Sequence, residues 1–173
     1  WVTSTRVNAL RVLEPSELIT LEALGSCNAR VMPKRTTLIA ITGATLGQVS
    51  ALEIEACANQ SVVGVFDPGD TFSEYLYFWF STNIDSVISH ASGSAQQHIN
   101  KGTVSSTRLP LPAQEVVAEF RALVEPMFGL IADLMFTQSQ LEAMRDLLLE
   151  KLVAGEIDVS HLDLDELTEA ATA

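Results

Sequence analysis

The sequence predicts an α+β protein in which a small, mixed, β-rich domain is followed by a long coiled-coil-forming α-helix. Two observations predict this fold class. Apolar, β-branched runs separated by turn residues fill the first 110 positions, and apolar residues then recur at alternating spacings of three and four from Ala113 to Ala154. The prolines of Leu109-Pro110-Leu111-Pro112 favour an extended boundary between the two parts. We therefore divide the chain into residues 1–111, 112–155 and an acidic tail, 156–173.

Three apolar, β-branched runs in the first domain predict buried strands, at residues 36–42, 48–52 and 61–66. Glycines 43 and 47 predict a turn between the first two strands, and Asp-Pro-Gly-Asp at 67–70 ends the third. From Ser73 to about His90 the apolar residues have helical spacing, and Gly93 is expected to end this helix. The first domain should thus be mostly strands, with one helix before the proline boundary.

The predicted long helix carries two apolar columns at seven-residue spacing, which is typical of a helix that pairs with another helix. One column contains Phe120, Met127, Leu134, Leu141 and Leu148, and the other contains Val117, Val124, Ile131, Gln138, Arg145 and Leu152. Gln138 and Arg145 interrupt the second column and are expected to fix the register of pairing. Pro126 should kink the helix near Ala122, leaving two helical segments possible, and Gly155 should end it. At about 1.5 Å per residue the helix would span roughly 60 Å.

The composition is that of a globular, soluble and cytoplasmic domain. Of the 173 residues 47% are hydrophobic, yet no apolar run reaches the roughly 18 residues that a membrane span needs. Cys27 and Cys57 are not arranged as a CxxC pair, so we expect reduced thiols. Because the chain opens on Trp1 without a signal-like segment, we interpret it as a fragment or a processed product.

Negative charge is concentrated in the second half of the chain. The net charge is −12, and residues 111–173 carry 3 Lys+Arg against 13 Asp+Glu, whereas residues 1–110 carry 7 against 9. A protein this acidic cannot hold nucleic acid by bulk electrostatics. Contacts with phosphates would have to come from local cations in the first part, which are Arg6, Arg11, Arg30, Lys34, Arg35, Lys101 and Arg108, unless these residues serve only solubility.

No pattern of catalytic or metal-ligating residues occurs in the sequence. The chain lacks GxxxxGK[ST], GxGxxG and GxSxG motifs, and His90, His98 and His161 have no partners at metal-ligand spacing. We therefore predict no catalytic residue and no metal site. The polar segment Gly93-Ser94-Ala95-Gln96-Gln97-His98 offers amides instead, and glutamine can pair bidentately with adenine in a major groove.

Several motifs occur in a characteristic order along the chain. They are Thr42-Gly43-Ala44-Thr45-Leu46-Gly47, Asn59-Gln60, Tyr75-Leu76-Tyr77, Gly93 to Ile99, Leu109 to Pro112, Leu141 to Leu152, and Gly155-Glu156-Ile157. This series resembles the specificity subunit of type I restriction-modification systems, from Trp1 to about Val159. The resemblance implies two target recognition domains, each followed by a long helix, with the two helices paired antiparallel as a spacer. Residues 1–111 would be the later part of one recognition domain, with several tens of residues missing before Trp1.

In the family that this sequence resembles, the specificity subunit performs no chemistry and selects a bipartite DNA site. The implied partners are double-stranded DNA, methyltransferase (modification) subunits and the restriction subunit. The long helix would pair with a second repeat or with another copy of the chain. No cofactor is implied for this chain, because S-adenosylmethionine and ATP with Mg²⁺ act on the partner subunits.

The candidate residues near DNA are Thr45, Gln96, Gln97, His98 and Lys101, with Arg6 or Lys34 at phosphate. Two other interpretations remain open. The chain would be the C-terminal DNA-reading domain of a fused methyltransferase or endonuclease, or else a coiled-coil adaptor that binds only proteins. An enzyme in its own right is the weakest interpretation, because no acid, base, nucleophile and metal set is present.

Overall fold

A four-stranded mixed sheet organises the first of the two units of the chain, residues 1–132 and 133–173. The structure is a computed structural model that describes residues 1–91, 99–158 and 160. The strands are β1 (Arg11–Val12), β2 (Thr37–Ala40), β3 (Val49–Leu52) and β4 (Val62–Val65), in the spatial order β1-β3-β2-β4. β1 pairs parallel with β3, and β2 pairs antiparallel with β3 and β4. The three strands predicted from apolar runs are therefore confirmed.

β2 is buried on both faces, and its alternating side chains divide the core into two parts. Leu38 and Ala40 belong to a cluster with Val2, Val7, Val12 and Leu52, whereas Ile39 belongs to a cluster with Phe80, Ile84 and Val87. The second cluster is covered by a helix at Ser73–Ala91, which contributes those last three residues. A short apolar run with no polar alternation is what a strand covered on both faces requires.

The helices are α1 (Leu21–Gly25), α2 (Ser73–Ala91), α3 (Lys101–Ser106) and α4 (Gln114–Val153), with 3₁₀ helices at Ser4–Asn8 and Gly43–Thr45. The two predicted helices are confirmed as α2 and α4. The sequence did not indicate β1, α1 or α3, because two to six residues are too few to show a period. Asn100 begins α3 by accepting a hydrogen bond from the Thr103 N–H at 2.9 Å.

α4 runs as a single helix through Pro126 instead of dividing into two segments. Proline has no N–H, so the carbonyl of Ala122 loses its usual partner, but the neighbouring turns remain helical. The helix stops before Gly155, whose φ of +71° is the left-handed conformation that glycine adopts readily. Together, the small mixed sheet and the long C-terminal helix confirm the α+β class.

The cysteines, the hydropathy of the helices and the acidic tail were also subjects of prediction. Cys27 is exposed and Cys57 is buried, and both thiols are free. In the described part of the chain, no helix is long and apolar enough to cross a membrane. Residues 161–173 of the acidic tail lie outside the described residues, as does Gly93, where the helix was expected to end. The division at residues 111 and 155 stays a prediction.

The turn that leads into α2 depends on the Asp67 carboxylate, which accepts hydrogen bonds from the N–H groups of Gly69, Thr71 and Phe72 at 2.9–3.3 Å. These backbone donors, Thr71 first, lower the pKa of Asp67. Because the pKa is lowered on folding, this stabilisation is complete above the ordinary Asp pKa of about 3.9 and is lost as the pH falls below it.

We expect Asp67→Ala to lower the free energy of unfolding by about 1 kcal/mol at pH 7. Below pH 4 the difference from the wild type should shrink, because the wild-type carboxylate becomes protonated. Urea denaturation at pH 7 and at pH 3 measures both quantities. Asp85→Ala is the matched control, since Asp85 is exposed on α2. An equal loss of stability at both pH values would show that the carboxylate charge is not what holds the turn.

Candidate nucleic-acid interface

Three segments that are distant in sequence meet where β2 ends. The carbonyl of Ile41 accepts a hydrogen bond from the Ile99 N–H at 3.3 Å, which places the start of α3 beside the end of β2. The Gly47 N–H donates to the Ala40 carbonyl at 2.9 Å and closes the turn that holds the 3₁₀ helix Gly43–Thr45. The 3₁₀ helix Ser4–Asn8 contacts that second 3₁₀ helix. We call these segments, residues 4–8, 41–47 and 99–101, the β2 edge.

The β2 edge contains three of the residues predicted to approach DNA. Arg6 is exposed in the first 3₁₀ helix, and Lys101 is exposed as the first residue of α3. Thr45 is half-buried and lies in the second 3₁₀ helix, where its hydroxyl donates to the Thr42 carbonyl at 3.4 Å. The fold therefore brings Arg6, Thr45 and Lys101 to the same edge of the domain.

The other predicted residues are placed elsewhere or lie outside the described residues. Lys34 precedes β2 and so lies at the opposite end of that strand, where its ammonium is 3.4 Å from the Glu53 carboxylate. Gln96, Gln97 and His98 lie outside the described residues. They immediately precede Ile99 in sequence, which is itself part of the β2 edge.

Most cations of the chain are engaged with carboxylates. Arg11, Lys34, Arg35, Arg121, Arg145 and Lys151 form ion pairs. Within residues 1–91, 99–158 and 160, the cations without a carboxylate within 4 Å are Arg6, Arg30, Lys101 and Arg108. Arg108 was only one of many scattered cations in the sequence, and no motif singled it out. It lines a groove of about 450 Å³ between α2 and α3, together with Trp79, Asn83 and Thr103.

Two arginines and three carboxylates form a cluster that joins the sheet to the first turns of α4. The members of this ion cluster are Arg35, Asp70, Glu74, Arg121 and Glu125. Arg35 contacts Glu74 and lies 3.2 Å from Asp70 and 2.8 Å from Glu125. Arg121 lies 3.0 Å from Asp70, 3.3 Å from Glu125 and 3.9 Å from Glu74. The two guanidinium groups therefore share the same three carboxylates.

The hydrogen bonds of the ion cluster change the pKa values of its members. The hydrogen bond to Glu125 raises the pKa of Arg121, and the reciprocal bond, with one from Arg35, lowers the pKa of Glu125. Glu74 is 2% exposed, so its charge depends on these guanidinium partners for compensation. Arg35 was predicted only as one of the local cations and Arg121 was not singled out, because each meets its carboxylate partners only in the folded chain.

Arg11 is a buried cation with an unusual set of neighbours. It is 2% exposed, with its guanidinium carbon 3.5 Å from the Phe128 ring centroid and 5.0 Å from that of Tyr77. Its Nη1 lies 3.6 Å from Glu53, while Nε and Nη1 have no hydrogen-bond partner. Burial lowers the pKa of Arg11, and Glu53 acts in the opposite direction. Arg11, one of the seven local cations of the first domain, is therefore covered by aromatic rings.

The predicted helix-pairing residues of the first unit differ in exposure. Val117 is buried, whereas Phe120, Val124 and Ile131 are half-buried and Met127 is exposed. Phe120 packs edge-on against Phe78, with ring centroids 5.8 Å apart. Leu123 and Leu130, which were not among the predicted pairing residues, are exposed as well. Their seven-residue spacing in sequence is a signal that could have identified them.

In the second unit the predicted pairing residues are exposed along α4, namely Leu134, Gln138, Leu141, Arg145, Leu148 and Leu152. The amide of Gln138 donates to Glu142 at 3.0 Å, and Arg145 lies 2.7 Å from Asp146. Met144 is exposed as well, and its position continues the seven-residue spacing of Leu123 and Leu130 in sequence. The residues described here thus leave a series of leucines without apolar cover.

Comparisons with known proteins agree with the resemblance that the motifs suggested. The family model for the type I restriction modification DNA specificity domain matches residues 1–120. The type I restriction enzyme MjaIX specificity subunit of Methanocaldococcus jannaschii is 28% identical over 99 residues. The aligned region is 56% of this chain and 23% of that relative. Because the family model matches more than half of the chain, this chain belongs to the family of type I restriction-modification DNA specificity domains.

Proposed function

We propose that this chain reads one half of a bipartite DNA target as part of the specificity subunit of a type I restriction-modification complex. In this proposal the chain performs no chemistry of its own. The methyltransferase and restriction subunits would supply the reactions. The observation that carries the proposal is the convergence of Arg6, Thr45 and Lys101 at the β2 edge, next in sequence to the amides of Gln96 and Gln97.

The chemistry of the β2 edge suits DNA recognition. Exposed Arg and Lys side chains bind phosphates and fix the position of the protein on the duplex. Glutamine amides can then read adenine edges in the major groove. Arg6 and Lys101 are available for phosphates because no carboxylate of the described residues lies within 4 Å of either. Local cations of this kind offset the acidity of the chain, which is concentrated beyond residue 111.

α4 is proposed to act as the spacer between two readers and as a docking element for methyltransferase subunits. Its exposed apolar residues favour this role, since a helix with a leucine series open to water gains free energy by packing against another helix. We propose that Leu134, Leu141 and Leu148 pair with a second helix of the same kind. Gln138 and Arg145 would set the register of that pair.

Co-expression tests this function directly. The gene that encodes this chain is expressed with a neighbouring methyltransferase gene in a host that lacks both, and the host DNA is sequenced for N6-methyladenine. We expect a new motif composed of two half-sites separated by unspecified bases. A contiguous motif would favour a reader fused to its own enzyme. A stable complex that methylates no motif would contradict the proposal and favour the protein-binding adaptor.

Lys101→Ala should weaken binding to the duplex that carries the identified motif. We expect affinity to fall about three- to tenfold, and the slope of log affinity against log salt to shrink by about one, because one phosphate contact is lost. Fluorescence anisotropy at several salt concentrations measures both quantities. Lys34→Ala should have a smaller effect, since Glu53 already pairs with that charge. Lys151→Ala is the charge-matched control, because Lys151 pairs with Glu156.

Equal salt slopes for Lys101→Ala and the wild type would remove the β2 edge from the interface. A larger effect from Lys34→Ala than from Lys101→Ala would place the DNA at the opposite end of β2. Thermal denaturation of each variant separates a lost contact from a lost fold, because these lysines are exposed and their replacement should change stability little.

A further inference from the structure

The ion cluster occupies the place where the sheet domain meets the first turns of α4. Arg35 precedes β2, Asp70 and Glu74 lie at the start of α2, and Arg121 and Glu125 lie one turn apart on α4. All five residues belong to the first unit. The segment before β2 and the start of α2 are therefore both tied to α4 by one set of charges.

The backbone of the ion cluster shows that this arrangement is maintained against strain. The non-glycine residues with positive φ in the described part of the chain are Arg35, at +71°, and Asp70, at +52°. Each costs free energy in this conformation, and such residues persist where surrounding contacts hold them. Because Arg35 and Asp70 pair with each other at 3.2 Å, both strained residues serve the same contact.

The ion cluster is not suited to bind phosphate. Its two guanidinium groups face three carboxylates, so the cluster carries a net negative charge that repels an anion. Its paired guanidinium and carboxylate groups are instead suited to hold α4 against the rest of the domain. Guanidinium groups can contact several carboxylates at once with defined geometry.

We propose that Arg121 is a positioning residue of the DNA reader: through the ion cluster it fixes the first turns of α4 against the domain and so determines which separation of the two half-sites is accepted. This inference rests on the proposed function. Arg121 is central because it contacts Asp70 through both the side chain and the backbone carbonyl, while also pairing with Glu125 on its own helix. No other residue of α4 is seen to reach all three carboxylates within the described residues.

A second set of contacts, apart from the ion cluster, also joins α4 to the domain. Phe128 lies over the Arg11 guanidinium and packs against the rings of Tyr77 and Phe78, with ring centroids 5.4 Å apart in each pair. Val117 is buried as well. Loss of Arg121 should therefore loosen the angle of the helix on the domain without releasing the helix.

The test uses the co-expressed complex and DNA substrates that carry the two half-sites at the native separation or with one base pair added or removed. We expect Arg121→Met to lower the preference for the native separation about tenfold while the half-site bases stay the same. Arg121→Lys should restore part of the preference, since it keeps the charge but not the forked geometry. Lys151→Met is the matched control, because Lys151 is exposed on α4 and pairs with Glu156 outside the ion cluster.

An unchanged separation preference in Arg121→Met would overturn the inference, and so would a change in the half-site bases. If Arg121→Met does not fold, Arg121→Lys and Glu125→Gln carry the same measurement with smaller changes. A wild-type complex that methylates no bipartite motif contradicts the proposed function instead. The two failures are distinguished because only the second occurs in the wild type.

Discussion

Phe80→Ala is expected to lower the free energy of unfolding by about 3–5 kcal/mol, the largest effect among the substitutions considered for this chain. Phe80 is 1% exposed and lies where α2 packs on the sheet, in the cluster that contains Ile39, Val63 and Ile99. Its truncation removes a large ring and leaves a cavity that rigid strands on one side cannot fill. Urea denaturation of the purified chain measures the loss.

Phe66→Ala is the control for that experiment, because Phe66 follows β4 and is largely exposed. We expect its cost to stay below about 1 kcal/mol. Similar costs for the two variants would mean that α2 is not packed on the sheet as described. Ile99 shares the Phe80 cluster and donates a hydrogen bond to Ile41, so Phe80→Ala should also disturb the β2 edge.

Arg11→Ala should destabilise the chain by about 3 kcal/mol, the second largest expected effect. The substitution leaves a void beneath Phe128 and Tyr77 and takes away one of the two cations near Glu53. The remaining partner, Lys34, is mostly exposed and compensates that carboxylate only in part. Denaturation by urea at neutral pH is again the measurement.

Arg11→Met separates the two contributions, since methionine fills much of the space without the charge. We expect it to recover at least half of the stability lost in Arg11→Ala, because a buried cation with unpaired nitrogens also carries a desolvation cost. If Arg11→Met is as unstable as Arg11→Ala, the interaction of the charge with the rings and with Glu53 contributes more stability than the filling of space does. That result would contradict the expected recovery.

Sequence patterns predicted the elements that are long or strongly apolar. Apolar, β-branched runs predicted the strands β2 and β4, and the helical spacing of apolar residues predicted the helices α2 and α4. β1 escaped prediction because it has two residues, and its pairing with β3 depends on the tertiary fold. The spacing of apolar residues in α4 does not distinguish Val117, which is buried in the first unit, from Leu123, which is 70% exposed.

The candidate site was predictable in its residue types but not in its geometry. Thr45 was a candidate within a motif and Arg6 and Lys101 were candidates as local cations, whereas the position of Lys101 beside the end of β2 depends on the hydrogen bond between Ile99 and Ile41. Lys34 was an equally good candidate for contact with phosphate, yet it lies at the other end of β2 beside Glu53. Ion pairing between residues far apart in sequence leaves no local pattern, so the ion cluster could not have been found from the sequence.

Phe128, whose ring lies over the Arg11 guanidinium, is synthesised much later than Arg11 itself. During synthesis Arg11 leaves the ribosome early, and β1 can pair with β3 once residues 49–52 have emerged. The Phe128 ring can cover the guanidinium only after the first four turns of α4 have been synthesised. Until then, of the two rings beside the guanidinium, Tyr77 is the one in place. The sheet domain therefore reaches its full stability only when the chain has been extended about four turns into α4.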